Sequence, residues 1–247
     1  MTYTTIRRQV YRTFSQAMIM LAFTSTCFAD SKIHSNSGYQ QKFIQKITPK
    51  VQKQNIYIQN QRNAILQILH NIDNNNSVSH ARTQWLYNIA RVYKVKSFSA
   101  KNPASRKTLL LRVNTLPTSL VLAQAINESN WGRSRFAKKA NNLFGMWCYQ
   151  AGCGIIPLNR AKNKTFEVKS YSNQAASIQA YFYNLNTNPQ YSQLRQMRNN
   201  IITKGNIILG LNLANYLTGY SADQQYGNII KQIIKQHGLV KYDKAYR

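Results

Sequence analysis

Residues 118–147 read "TSLVLAQAINESNWGRSRFAKKANNLFGMW", an apolar helix-forming stretch that runs into Glu128 and then into Trp, Gly, Arg and Asn. Pro117 followed by Thr118 and Ser119 is helix-start chemistry, since proline presets φ and hydroxyls suit the first turn. Leu122, Ala125, Ile126 and Ser129 recur at spacings of three and four and predict a single buried stripe. Glu128 then falls in the last turn, at the edge of that stripe. A helix C-terminus carries partial negative charge and apolar neighbours disfavour ionisation, so both raise a carboxyl pKa. This is the direction a general acid requires near neutral pH. Pairing with Arg133 or Arg135, to hold the following turn, explains the same glutamate equally well from the residues alone. Trp131, Phe136, Leu143, Phe144 and Trp147 taken singly suit a core, and Asn141 and Asn142 suit a cap or turn.

Glu128 is conspicuous because the 247-residue chain has 33 Lys+Arg against 6 Asp+Glu, a formal net charge of +27. Basic residues are spread along the whole length, which favours a polyanionic partner without choosing among nucleic acid, anionic lipid and an acidic wall polymer. Lysine bias across a genome produces the same composition. Residues 1–29 narrow the choice: Arg7, Arg8 and Arg12 precede "AMIMLAFTSTCFA", an apolar run of signal-peptide length with small residues before a cleavage point after Ala29. The run is short for a membrane span, Thr24 and Thr26 before Cys27 make a poor lipobox, and "RRQVYR" matches a twin-arginine signal weakly. The expectation is export to the periplasm or cell envelope, with no stable transmembrane segment after cleavage. Loss of three arginines leaves a mature chain near +24. Nucleic acid is disfavoured as partner, since zinc-finger and RNP patterns are also lacking.

Export would remove Cys27 and leave Cys148 and Cys153 around "YQAG", a short-loop disulfide in an oxidising compartment or two thiols in a reducing one. His34, His70, His80 and His237 are scattered without ligand spacing, so neither a metal nor a cofactor is expected.

Along the rest of the chain, residues 30–38 read as a flexible polar start. Phe43, Ile47, Val51, Ile58, Ile65 and Leu69 then recur every four or seven residues, predicting long amphipathic helices interrupted near Pro49. "ARTQWLYNIARVYKV" resumes the pattern with Trp85, Leu86, Ile89, Val92 and Tyr93. From Gly152 to Ser172 the helical period fails, and "TFEVKSY" alternates as a β-hairpin would, carrying Glu167. Helices return in "NQAASIQAYFYNLN", "QYSQLRQMR", "GNIILGLNLANYL" and "SADQQYGNIIKQIIKQHG". The fold class is mainly α, an α+β arrangement with one small β excursion. Two glutamates on different elements are what a glycosidase needs, one protonated to donate to the leaving oxygen and one to activate water or stabilise positive charge.

The ordered blocks "LAQA..ES.WG.SRFA...NNLFG.WC...GCG..P", "YFYNLNTNPQYSQLRQMR" and "GYSADQQYGNIIKQII" resemble the bacterial glucosaminidase-domain family, of mannosyl-glycoprotein endo-beta-N-acetylglucosaminidase type. Within it the chain is most similar to the exported Bax-type proteins, over residues 40–242. The resemblance implies a lysozyme-like helical domain at 101–247, preceded by a signal peptide at 1–29 and an N-terminal helical region at 30–100. It also implies hydrolysis of the β-1,4 bond following N-acetylglucosamine in peptidoglycan glycan strands. Glu128 matches the family's catalytic acid, Glu167 its proposed second carboxylate, and Tyr226 a tyrosine that positions water or the substrate acetamido group. Trp131, Asn142, Phe144, Gly145, Trp147 and Tyr220 are the expected substrate-binding residues. The sequence departs from the family pattern at Asn130, where glycine is usual, at Met146, where glutamine is common, and at Phe166, where histidine often stands. A muramidase or lytic transglycosylase, or a wall-binding module without catalysis, are the competing expectations.

Overall fold

A computed structural model describes residues 31–221 and 223–246; the expected signal segment with Cys27 lies outside the described residues. Helices come first: α1 (Ser31–Asp73), α2 (His80–Val92), α3 (Pro103–Arg112), α4 (Thr118–Ser129) and α5 (Arg135–Ala140). A small sheet follows, β1 (Trp147–Cys148), β2 (Gly154–Ile155) and β3 (Glu167–Lys169). The chain closes with α6 (Gln174–Thr187), α7 (Ser192–Thr203), α8 (Gly210–Leu213) and α9 (Tyr226–Gln236), with 3-10 turns at Pro189–Tyr191, Ala214–Tyr216 and Leu239–Tyr242. The fold is mainly helical with one antiparallel sheet, as the alternating pattern around Glu167 predicts. The sheet has three strands rather than a two-stranded hairpin: β3 lies in the middle, pairing Trp147 with Val168 and Gly154 with Lys169.

Helix α1 corrects two expectations. The chain is helical from Ser31, where a flexible start is expected, and the helix passes through Pro49 without interruption. An interior proline costs roughly 3 kcal/mol through its missing amide and its clash with the preceding turn. Ile47 and Val51, on either side of it, are fully buried, and Phe43, Ile44, Ile58, Ile65, Ile68 and Leu69 are buried along the same helix. Each such side chain contributes about 1.5–3 kcal/mol on burial, so one straight stripe against the core outweighs the local defect. In α2, Leu86 and Ile89 are buried as expected, as is Tyr93 at its C-cap, but Val92 points to solvent.

Helix α4 is buried nearly all round rather than along one stripe: every residue from Thr118 to Ile126 is buried. It is the central rod of the molecule, packed by α1, α8, α9 and the last 3-10 turn. A helix that is apolar on every face belongs in such a place. Its N-terminus has no side-chain cap of its own. Instead the Asp243 carboxylate accepts from Ser119 N at 2.8 Å, from Ser119 Oγ at 2.6 Å and from Gly210 N at 3.0 Å, serving the starts of α4 and α8 together.

The link from α3 into α4 is buried, so its backbone polar groups need internal partners. Asn55 of α1 exchanges two hydrogen bonds with Leu116, donating to its carbonyl at 2.8 Å and accepting from its amide at 2.9 Å. Arg198 of α7, fully buried, donates to Leu111 O at 2.7 Å, Thr115 O at 2.9 Å and Asn186 Oδ1 at 2.8 Å. Its guanidinium faces carbonyl oxygens at a helix C-terminus, where positive charge is favoured. These side chains fix the direction in which α4 starts, and thereby where it ends.

Candidate active site

The end of α4 is where sequence and geometry meet. Asn130, Trp131 and Gly132 have φ of 48°, 60° and 74°, three consecutive left-handed residues that turn the chain out of the helix. Asparagine tolerates this conformation best after glycine, which suits Asn130 to the position. Ser129 Oγ closes the turn by donating to Ala125 O and accepting from Gly132 N at 2.7 Å. A Cβ on Gly132 would lie 2.9 Å from the Phe43 ring, so α1 presses directly on the turn.

That turn leaves the Glu128 carboxyl half-buried beside aromatic side chains. Burial raises its pKa, against hydrogen bonds from Tyr226 and Asn127 that lower it. Tyr226, at the start of α9, donates to Glu128 Oε1 at 2.7 Å, and Asn127 Nδ2 donates to the same oxygen at 3.0 Å. The arginines that offer the plainer explanation are elsewhere. Arg133 donates to Asn130 Oδ1 at 3.1 Å and Arg135 to Ile156 O at 2.7 Å. Among the described residues the one salt bridge is Arg106–Asp73, far from this glutamate in sequence and role. Glu128 is therefore an acid held by a phenol and an amide, without a cation.

A second set of residues shapes the wall facing it. Asn142 is buried and works as a clasp: Nδ2 donates to Met146 O and Lys169 O, both at 2.8 Å, while Oδ1 accepts from Phe144 N and Met146 N. It folds "NNLFGM" and ties it to β3. Gly145, at φ 62°, brings its backbone beside Glu128, and a Cβ there would sit 3.8 Å from Oε2. Phe144 stacks on Tyr181 with centroids 4.1 Å apart, and its carbonyl accepts from Tyr220 OH at 2.6 Å. Tyr220 in turn stacks on Tyr226 at 5.5 Å. Trp147, on β1, meets Phe166 edge-on at 4.4 Å. Trp131, expected as a sugar contact, is only 8% exposed, with its ring edge-on to Phe43 and His237. It is a packing residue of the turn, because the left-handed backbone at this position swings the indole inward.

Glu167 does not join Glu128 in this arrangement. It is 4% exposed, and its oxygens accept from Gly152 N at 3.0 Å and Gly154 N at 2.7 Å. Those amides, with help from Arg160, hold its pKa below the ordinary carboxylate range. The loop bearing them is closed by the Cys148–Cys153 disulfide, and Cys148 pairs with Glu167 across the sheet. The two carboxyls are thus pushed in opposite directions, Glu128 toward the acid and Glu167 toward the anion.

Two consequences are measurable. Replacing both cysteines with serine is expected to lower stability by roughly 2 kcal/mol and to speed amide exchange at Gly152 and Gly154; unchanged exchange would mean that Glu167 alone holds the loop. Because the Glu167 pKa is lowered in the fold, its clamp is complete above the ordinary carboxyl range and is released as pH falls through the lowered native value. Exchange at the two glycines should accelerate on acidification in the native protein and be insensitive to pH, apart from the intrinsic chemistry, in Glu167→Gln.

Sequence reasoning missed Gln124 and Tyr181. Gln124, wholly buried in α4, donates to Tyr226 OH at 3.0 Å and accepts from Tyr181 OH. The signal was present as a glutamine in the middle of an otherwise apolar helix, one turn before Glu128.

A helix ending in a cation-free, half-buried glutamic acid, backed by tyrosines and opposed by a backbone wall, defines a glycoside hydrolase type of site. Residues 106–239 match the family model described as mannosyl-glycoprotein endo-beta-N-acetylglucosaminidase, and the chain belongs to this glucosaminidase family. It is 32% identical over 200 residues to Protein bax of Escherichia coli (strain K12), covering 81% of this chain and 70% of that protein. It is 29% identical over 145 residues to the exo-glucosaminidase LytG of Bacillus subtilis (strain 168), with 54% of this chain and 48% of LytG covered. A probable N-acetylmuramidase of Lactococcus lactis subsp. cremoris is 30% identical, with 53% of this chain and 31% of that protein covered. The solved catalytic domain of the autolysin Auto from Listeria monocytogenes aligns at 18% identity with a TM-score of 0.41, over 93% of this chain and 96% of that one.

Proposed function

We propose that the protein is an exported peptidoglycan hydrolase that cleaves the β-1,4 bond following N-acetylglucosamine, with Glu128 as general acid. The observation that carries this reading is the Glu128 carboxyl itself: raised in pKa by burial, free of any cationic partner, and held through Oε1 so that Oε2 lies beside Gly145. In the reaction the Oε2 proton passes to the glycosidic oxygen as the C1–O bond breaks, water supplies the new hydroxyl at C1, and the other proton of that water restores the Glu128 carboxyl. Glu167, held ionised on β3 by the Gly152 and Gly154 amides of the disulfide-closed turn, is the second carboxylate of this reading and joins Glu128 only when that turn releases it. Gly145, Trp147 and Tyr220 line the groove, buried Asn142 and Phe144 support its wall from behind rather than meeting the sugar as expected, and Tyr226 holds the acid. The basic surface of the chain suits a wall polymer rich in carboxylates.

Export rests on the 1–29 segment and on the kinship with wall hydrolases; among the described residues no helix is long and apolar enough to cross a membrane. Residues 30–100 serve as a cradle for the 101–247 domain rather than as a unit apart, since Phe43 and Ile47 of α1 lie in one continuous core with Leu122 and Ile126 of α4.

The names of the relatives divide between glucosaminidase and muramidase, so the bond cleaved is the decisive measurement. Purified peptidoglycan is digested, the products are reduced with borohydride, and the new ends are identified by mass spectrometry. Reduced N-acetylglucosamine ends are expected. Reduced muramic acid ends, or anhydro products, would transfer the site to the muramidase or lytic transglycosylase class. Tight wall binding with no hydrolysis would make it a binding module.

A further inference from the structure

Glu128 is the last member of a buried line of hydrogen bonds: Tyr181 OH to Gln124 Oε1, Gln124 Nε2 to Tyr226 OH, and Tyr226 OH to Glu128 Oε1. It crosses three elements, from α6 through α4 to α9. A carboxamide is directional, with its acceptor on one side and its donors on the other. With Tyr181 donating to Oε1, Gln124 turns its Nε2 toward Tyr226 and occupies the acceptor side of that hydroxyl. Tyr226 has one proton, and it points to Glu128. Asn127 Nδ2 donates to the same Oε1, so both acceptor directions of that oxygen are taken. Oε2 lies beside Gly145, where glycine leaves room.

We propose that Gln124, oriented by Tyr181, is a positioning residue that fixes the direction of the Tyr226 hydroxyl and so confines the transferable proton of Glu128 to Oε2. A carboxylic acid free to protonate at either oxygen presents its proton to the substrate only part of the time. The line of donors from Tyr181 leaves one choice. Its two phenols stay neutral donors at working pH, because burial pushes Tyr181 and Tyr226 well above the ordinary phenol range. With Tyr220, which stacks on Tyr226 and is raised in the same way, they are the titratable groups among the described residues that couple to Glu128. The inference deepens the reading of Glu128 as general acid and rests on it.

The sequence makes a direct test practical, since Glu128 and Glu167 are the only glutamates. Glutamate labelled with carbon-13 at the carboxyl gives two resonances, assigned with Glu128→Gln, and Glu167 serves as an internal reference. Each variant is titrated and assayed on peptidoglycan. Tyr226→Phe and Gln124→Met are both expected to raise the Glu128 midpoint, Gln124→Met by less, because each weakens donation to the carboxylate. The double variant should match Tyr226→Phe alone, as Gln124 acts only through that hydroxyl. Turnover of Gln124→Met should fall about tenfold at a pH where Glu128 is protonated, with KM little changed. Tyr181→Phe, which keeps the ring and the packing, should move the midpoint in the same direction and guards against a Gln124→Met chain that fails to fold.

A lowered midpoint in Gln124→Met would mean that the protons run the other way along the line, from Glu128 outward, and would overturn the proposal. An unchanged midpoint would reduce Gln124 to packing, and an additive double variant would show that it reaches Glu128 by another route. Retention of hydrolysis by Glu128→Gln would instead remove the acid reading, while leaving the titration coupling to stand as measured.

Discussion

Glu128→Gln is expected to reduce hydrolysis of purified peptidoglycan by about 10³-fold or more, leave sedimentation with the wall unchanged, and raise the melting temperature by about 2–4 °C at neutral pH. The first effect follows from the loss of the proton that the leaving oxygen needs. The second follows because glutamine keeps the shape of the side chain and still accepts from Tyr226. The third has a definite pH signature. Burial raises the Glu128 pKa above its unfolded value, so its contribution to stability is complete below the ordinary carboxyl range and is lost as pH rises through the raised native value. Glutamine stays neutral throughout. The gain should therefore vanish at about pH 4 and be present at about pH 8. An equal gain at both would remove the burial argument, and activity within tenfold of the native protein would remove Glu128 from the chemistry.

Arg198→Met should destabilise the fold by about 4 kcal/mol and lower the melting temperature by roughly 10 °C, and Arg198→Lys should not restore it. Arg198 is among the largest fully buried side chains and has no carboxylate partner; burial pulls its pKa down to about 9. What holds it is a fan of oxygens from Leu111, Thr115 and Asn186. Methionine fills much of the same volume but leaves those acceptors buried without donors, at about 1–3 kcal/mol each after relaxation. Lysine brings a charge without the planar fork. Urea unfolding measures the loss directly, and a value below about 1 kcal/mol would show that the α3–α4 link is held by packing alone.

Parts of this arrangement were legible in the sequence because they depend on near neighbours. The stripe from Phe43 to Leu69, the position of Glu128 at a helix end and the strand around Glu167 all follow from local period and turn chemistry. Pro49 misled because its cost is local while the compensation, burial along the rest of α1, is not. Trp131 was placed in the groove by motif and in the core by its positive φ, which no periodicity encodes. The Arg198 fan reaches carbonyls 83 and 87 positions away and the Gln124 line joins residues 57 and 102 positions apart, so neither can be seen before the chain is folded. Glu167 was legible as a carboxylate on a strand, but its grip on the Gly152 and Gly154 amides depends on the turn that the disulfide closes.

The Asp243 cap gives the molecule an order of events. The residue that completes the first turn of α4 lies 124 positions after it, so the helix bearing Glu128 emerges during synthesis with its leading amides bare. At roughly 5–20 residues per second, some seconds pass before the missing carboxylate exists. Through that interval α4 has the sequence that ends in Glu128 but lacks the carboxylate that fixes its first turn.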